Sequence, residues 1–181
     1  MDDLRKYLKK NNNMEIKLLK LYSENKENLK LNRLANPDGL SVERIEEIEL
    51  KINSGKPFPQ SFREYLHIGG EYSAIGINPW YGASFEDEEG ENFIKSFKKY
   101  NELMKNNGLT INRPFIIFKD GDDSSFDFIY LDEGDDPRPR FFYLDDNLMG
   151  NDERIGNYPE KTFSELIDRL VDYALRGLVP F

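Results

Sequence analysis

The chain has 181 residues, 38% hydrophobic and 33% charged, with no cysteine, a single histidine and a formal net charge of −9. One domain with at most an appendage is the economical reading, since domains run about 100–200 residues, and the missing cysteines exclude disulfides, thiolate zinc, iron–sulfur clusters and thiol nucleophiles. His67 alone excludes any two-imidazole site, and with neither an apolar leader nor a run of about 18 apolar residues the chain is expected to be soluble, cytoplasmic and free of the membrane.

Met14, Leu18, Leu21, Tyr22, Leu29 and Leu34 recur at roughly helical spacing, which predicts an amphipathic helix or helix pair at the start. The turn "NPDG" at 36–39 then separates a helical N-terminal extension, 1–36, from a main domain, 37–181. In "SVERIEEIELKINSG", Ser41 is placed to cap a helix that carries Val42, Ile45, Ile48 and Ile52 on one face. Glu43 and Glu46 suit its positive start, and Gly55 follows its end. "PFPQSFREYLHIGG" predicts a second, proline-led helix with Phe62, Tyr65 and Leu66 inward, stopped at Gly69-Gly70. His67 fits there as a helix-end residue packed near the core.

"YSAIGI" has the composition of a strand, and "NPWYG" that of a turn. Trp80 and Tyr81 in that turn are either core or rim aromatics or interface anchors, a role both residue types favour. "FEDEEGENFIKSFKKYNELMKNNG" opens acidic and continues as a helix with Phe93, Phe97, Tyr100 and Met104 in a stripe.

From there the period changes. Phe115–Phe118, Phe126–Leu131 and Arg140–Leu144 are short aromatic or β-branched runs separated by Asp, Gly and Pro turns, the pattern of a meander. In the middle run Phe126, Phe128 and Tyr130 share one face, while Asp127, Ile129 and Leu131 share the other. "TFSELIDRLVDYALRG" closes the chain as a helix. Thr162 and Glu165 form a capping box, and Phe163, Leu166, Ile167, Leu170 and Ala174 form its buried stripe. Helices, then strands, then a helix predict an α+β fold, a twisted, mainly antiparallel sheet backed by helices.

Charge is unevenly placed. Residues 1–34 hold nine Lys/Arg against five Asp/Glu, whereas residues 117–160 hold four against thirteen. Such an acidic half repels nucleic-acid phosphates and attracts basic proteins or cations. A calcium loop fails on spacing. Starting at Asp145, Met149 and Gly156 fall where ligands are needed; starting at Asp120, Ser125 stands where the glycine is needed and Leu131 where the bidentate Glu is. A catalytic carboxylate pair needs one member raised in a dry pocket, and turn aspartates are usually solvated. Asp127, inside a strand between aromatics, is the exception, and a carboxylate satisfied by backbone N–H groups is its bland alternative. No phosphate-cradling loop, nucleophile elbow or metal-spaced cluster is present, so no catalytic residue, metal or cofactor is expected.

In order, "LSVERIEEIELKINSG", "PFPQSFREYLHIGG", a lone Trp, "PFIIFKDGDDSSFDFIYLD", "RPRFFYLDD" and "TFSELIDRLVDY" resemble the SUKH superfamily over about Leu40 to Tyr173. That superfamily groups fungal cell-wall-synthesis regulators with bacterial immunity proteins. The chain departs from its pattern at Ser124-Ser125-Phe126, where the family has glycines, and at Leu144-Asp145-Asp146, where it has an aromatic-Asp-His ending. The resemblance implies an α+β domain that binds proteins and does not catalyse. It points to an immunity protein that neutralises a polymorphic toxin, such as a basic nuclease domain. A fungal-type regulatory or scaffolding protein is the alternative, and a carboxylate enzyme the third. Combined with the charge pattern, it makes Trp80, Tyr81, Glu86, Asp87, Glu88, Glu89, Asp120, Asp122, Asp123, Asp132, Glu133, Asp135, Asp136, Asp145 and Asp146 the candidate partner-binding residues.

Overall fold

The computed structural model describes residues 14–31, 39–70, 73–77, 91–121, 124–144 and 154–178. The helical periodicities of the first half become α1 (Lys20–Leu31), α2 (Val42–Asn53), α3 (Gln60–Gly69) and α4 (Glu91–Asn106). The period-two runs become β1 (Phe115–Gly121), β2 (Ser125–Tyr130) and β3 (Arg140–Tyr143), followed by a short β4 (Ile155–Asn157) and α5 (Phe163–Leu175). The strands pair antiparallel in the order β1-β2-β3-β4, a simple meander. The architecture is α+β, and no helix among the described residues is long and apolar enough to cross a membrane.

Local chemistry explains the element ends. Ser41 Oγ accepts from Arg44 N–H at 3.2 Å and starts α2, supplying one of the orphan donors of a helix start with a partner. Thr162 Oγ1 accepts from Glu165 N–H, and the Glu165 carboxylate reaches back to Lys161 N–H at 2.8 Å. Asp136 adds a second carboxylate at the start of α5, accepting from Ser164 N–H at 2.9 Å and from its hydroxyl. Gly70 ends α3 at φ 59°, a backbone state that favours glycine.

The sheet divides the core in two. One face carries Phe115, Ile117, Phe126, Phe128, Tyr130 and Phe142, covered by Tyr100 and Met104 of α4. The other carries Ile116, Phe118 and Ile129 and packs against the main cluster from α1, α2, α3 and α5. Aromatic rings fill that cluster: Phe163 meets Phe62, Tyr65 and Phe118 edge-on, with centroids 5.2–5.8 Å apart, a favoured geometry for their quadrupoles. Leu19, Tyr22 and Leu29 of the N-terminal segment lie in the same cluster.

Two elements differ from the sequence expectation. The described part of "YSAIGI" is a turn in which Ser73 Oγ accepts from Ile77 N–H and donates to Ile77 O. Ala74, Ile75 and Ile77 are nonetheless buried, so apolar content marked burial here and not extension. β4 was not anticipated; its central Gly156 lies opposite Phe141, where any Cβ would stand 1.9 Å from the ring.

Candidate functional site

The site begins with a slip in register. β1 and β2 pair regularly from Phe115 opposite Tyr130 to Ile117 opposite Phe128, and then Lys119, not Phe118, stands opposite Asp127. Phe118 is the extra residue of a β-bulge, a device that re-aims side chains. Before it, odd positions of β1 face α4. After it the parity reverses, so Lys119 joins Asp127 on the α5 side and Asp120 turns towards α4.

Lys119 and Asp127 line a half-open cavity of about 230 Å³ between the sheet, the 73–77 turn and α5. Ile75, Ile77, Phe118, Leu166, Leu170 and Tyr173 form its walls, and Tyr158 and Arg169 complete its polar lining. Tyr158 donates to Asp127 Oδ2 at 2.7 Å, and Lys119 Nζ lies 3.7 Å from the same oxygen. Burial pushes the Asp127 carboxyl above the ordinary aspartate range, and Lys119 and Tyr158 only partly oppose it. Burial likewise raises the Tyr158 hydroxyl, helped by the neighbouring Asp127 charge. Arg169 Nε sits 2.7 Å from Glu160 Oε1, with its guanidinium 5.7 Å from the centre of the Tyr173 ring. Asp127 is the only carboxylate among the described residues that line the cavity. The arrangement can bind and orient a polar group.

The acidic candidates separate into three groups. Asp120 is buried, accepting a hydrogen bond from the Tyr100 hydroxyl with Lys99 Nζ at 3.5 Å; as a rim charge it is a correction, because the bulge turns it inward. Asp132, Glu133, Asp135 and Asp136 occupy the β2–β3 connection. There Arg113 holds Asp132 through two nitrogens, at 2.5 and 3.2 Å, while Glu133 binds Arg113 and Arg140. Asp136 caps α5, and Asp135 is exposed. Trp80, Tyr81, Glu86, Asp87, Glu88, Glu89, Asp122, Asp123, Asp145 and Asp146 lie outside the described residues.

The described residues flanking two of those acidic segments meet at one end of the sheet. Leu144 N–H donates to Ser124 O at 2.8 Å, and Tyr143 N–H to Arg154 O at 2.9 Å. Asp132 to Asp136 are at the opposite end, on the connection that leaves β2.

Sequence reasoning missed Glu64, which is fully buried. Its carboxylate accepts from the N–H groups of Lys17, Leu18 and Leu19 at 2.9, 2.9 and 2.8 Å, and from Gln60 Nε2. A glutamate between Phe62 and Tyr65 on an inward helix face was the available signal. Glu49 is similar, accepting from Phe58 N–H at 2.7 Å, with burial raising its carboxyl. His67 Nδ1–H donates to Leu40 O at 2.9 Å and ties the start of α2 to the end of α3. Among the described residues no group of three or more His, Asp and Glu is placed to hold a metal ion. Compared with known proteins, the chain matches no family model, no curated protein and no solved structure.

Proposed function

We propose that the chain is a cytoplasmic immunity protein, a non-catalytic binder that occludes a basic toxin domain of the nuclease kind. The observation that carries this reading is the segregation of acid along the meander. Residues 117–160 hold thirteen Asp/Glu against four Lys/Arg. At the β2–β3 end Arg113, Arg140 and Ser164 already hold Asp132, Glu133 and Asp136. The described residues that flank Asp122, Asp123, Asp145 and Asp146 in the chain, Ser124, Leu144 and Arg154, meet at the other end of the sheet. In this reading a basic partner docks at that end of the sheet. The similarity of motif order to a superfamily of protein binders supports the same reading.

Charge complementarity chiefly raises the association rate and suppresses wrong partners. Co-expression with a toxin domain encoded beside this chain should restore growth. Replacing Asp122, Asp123, Asp145 and Asp146 together by lysine should slow association by about tenfold or more at low salt and flatten its salt dependence. Failure to protect against the adjacent toxin, or an unchanged association rate in the charge-reversed protein, would overturn the proposal.

A further inference from the structure

The cavity under α5 plays no part in the acidic docking end, and its chemistry suits a different kind of partner. We infer that it is a binding site for a small carboxylate with an apolar body, its head group held by Arg169 and Lys119 and its body lying against Ile77, Leu166 and Leu170. The inference is independent of the immunity reading.

Size comes first. At about 230 Å³, the cavity is larger than an apolar cavity of about 150 Å³ that admits benzene. A single ring or branched chain carrying one carboxylate therefore fits, and a nucleotide does not. The site is also open to solvent, since the Arg169 and Lys119 side chains remain 35% and 32% exposed.

Polarity selects the head group. The cationic donors that line the cavity are Arg169 and Lys119, and Lys119 is already paired with Asp127. Arg169 Nε lies 2.7 Å from Glu160 Oε1, in a direction that makes no hydrogen bond. Neither of its Nη atoms makes a hydrogen bond among the described residues. A guanidinium presents its remaining N–H groups as a fork that matches a carboxylate. The Tyr158 hydroxyl is engaged with Asp127 and is not available. The apolar walls then favour an organic acid over a bare inorganic anion.

The opposing charges also matter. Asp127 on β2 and the two phenols, Tyr158 and Tyr173, face the same space as Lys119 and Arg169, and Glu160, before α5, pairs with Arg169 from outside the lining. A bound carboxylate competes with Asp127 for Lys119. Because burial already favours the protonated form of Asp127, entry of the anion should be accompanied by proton uptake at that residue, with Tyr158 still hydrogen-bonded to it. Binding should therefore strengthen as pH falls towards the value at which Asp127 protonates.

The test is calorimetric titration of the full chain with phenylacetate, its neutral isostere phenylacetamide, and inorganic phosphate. Phenylacetate should saturate with a Kd of about 1 mM or tighter, and the other two should bind at least about tenfold more weakly. Arg169→Gln, which removes the fork, and Leu170→Trp, which fills the space, should each weaken phenylacetate by at least about tenfold. Affinity should rise as pH falls from neutrality towards the raised Asp127 value. Circular dichroism checks that each variant is folded, and Lys119→Gln carries the same comparison if Arg169→Gln is not. Absence of saturable binding, equal binding of phenylacetamide, or undiminished binding by the folded cavity variants would overturn the inference.

Discussion

Asp127 is a carboxylate inside a strand, with the Tyr158 hydroxyl 2.7 Å from one oxygen and an ammonium 3.7 Å from it. An ammonium neighbour ordinarily lowers a carboxyl pKa, but desolvation is the larger effect here and the shift is upward. Folding therefore strengthens the hold on the proton. The stability this confers is fully present below the ordinary aspartate value of 3.8 and is lost as pH rises through the raised value in the folded state. Asp127→Asn keeps a hydrogen-bond acceptor for Tyr158 and removes the titration. The stability of the wild-type chain relative to Asp127→Asn should therefore fall with rising pH above that ordinary value and then level off. Urea midpoints measured across the acid range check this, and two parallel pH curves would contradict it. The comparison isolates Asp127 from Asp168, whose carboxyl is also raised, first by burial and then by the Asp136 charge.

The elements owe their form to periods that are easy to read, and the site owes its form to an interruption that is not. Phe126, Phe128 and Tyr130 alternate with Asp127 and Ile129, and that alternation alone assigns the faces of β2. Asp127 stood out there as a carboxylate among aromatics. β1 is different. "FIIFKDG" is apolar at four consecutive positions, so it carries no parity of its own, and the bulge at Phe118 is set only by pairing with β2. Without it, Lys119 would be expected under α4 and Asp120 in the cavity. Tyr158 and Arg169 were equally invisible, because 31 and 42 residues of chain separate them from Asp127 and only the closed meander brings them together. The bulge has a measurable consequence. Asp120→Lys places an ammonium in a buried position against Tyr100 and beside Lys99, and should cost about 3–5 kcal/mol, as breaking a buried charged network does. Asp135→Lys, on an exposed turn, should leave stability nearly unchanged. Equal urea midpoints for the two variants would show that Asp120 is not turned inward.

At the scale of the whole molecule, the question is whether α1 is an appendage or part of the fold. Leu19, Tyr22 and Leu29 are at most 1% exposed and share the core with α3 and α5. The segment before α1 is fastened by the Glu64 carboxylate, which accepts from three consecutive backbone N–H groups at 17–19. α3 is shaped for the helix as well, since a Cβ on Gly69 would lie 2.4 Å from the Tyr22 hydroxyl. Burying one large apolar side chain is worth about 1.5–3 kcal/mol, so three contribute roughly 5–9 kcal/mol. That is comparable to the whole stability of a typical domain, about 5–15 kcal/mol. Removing residues 1–31 also takes away the three backbone N–H groups that hold the Glu64 carboxylate, a further loss. The shortened chain should therefore lose its cooperative unfolding transition and its near-ultraviolet circular dichroism, while retaining part of its far-ultraviolet signal. A cooperative melt with an unchanged denaturant slope would instead show that α2 to α5 and the sheet fold without it. That outcome would also require Glu64 to find new donors, which amide exchange at residues 60–70 would reveal as altered protection.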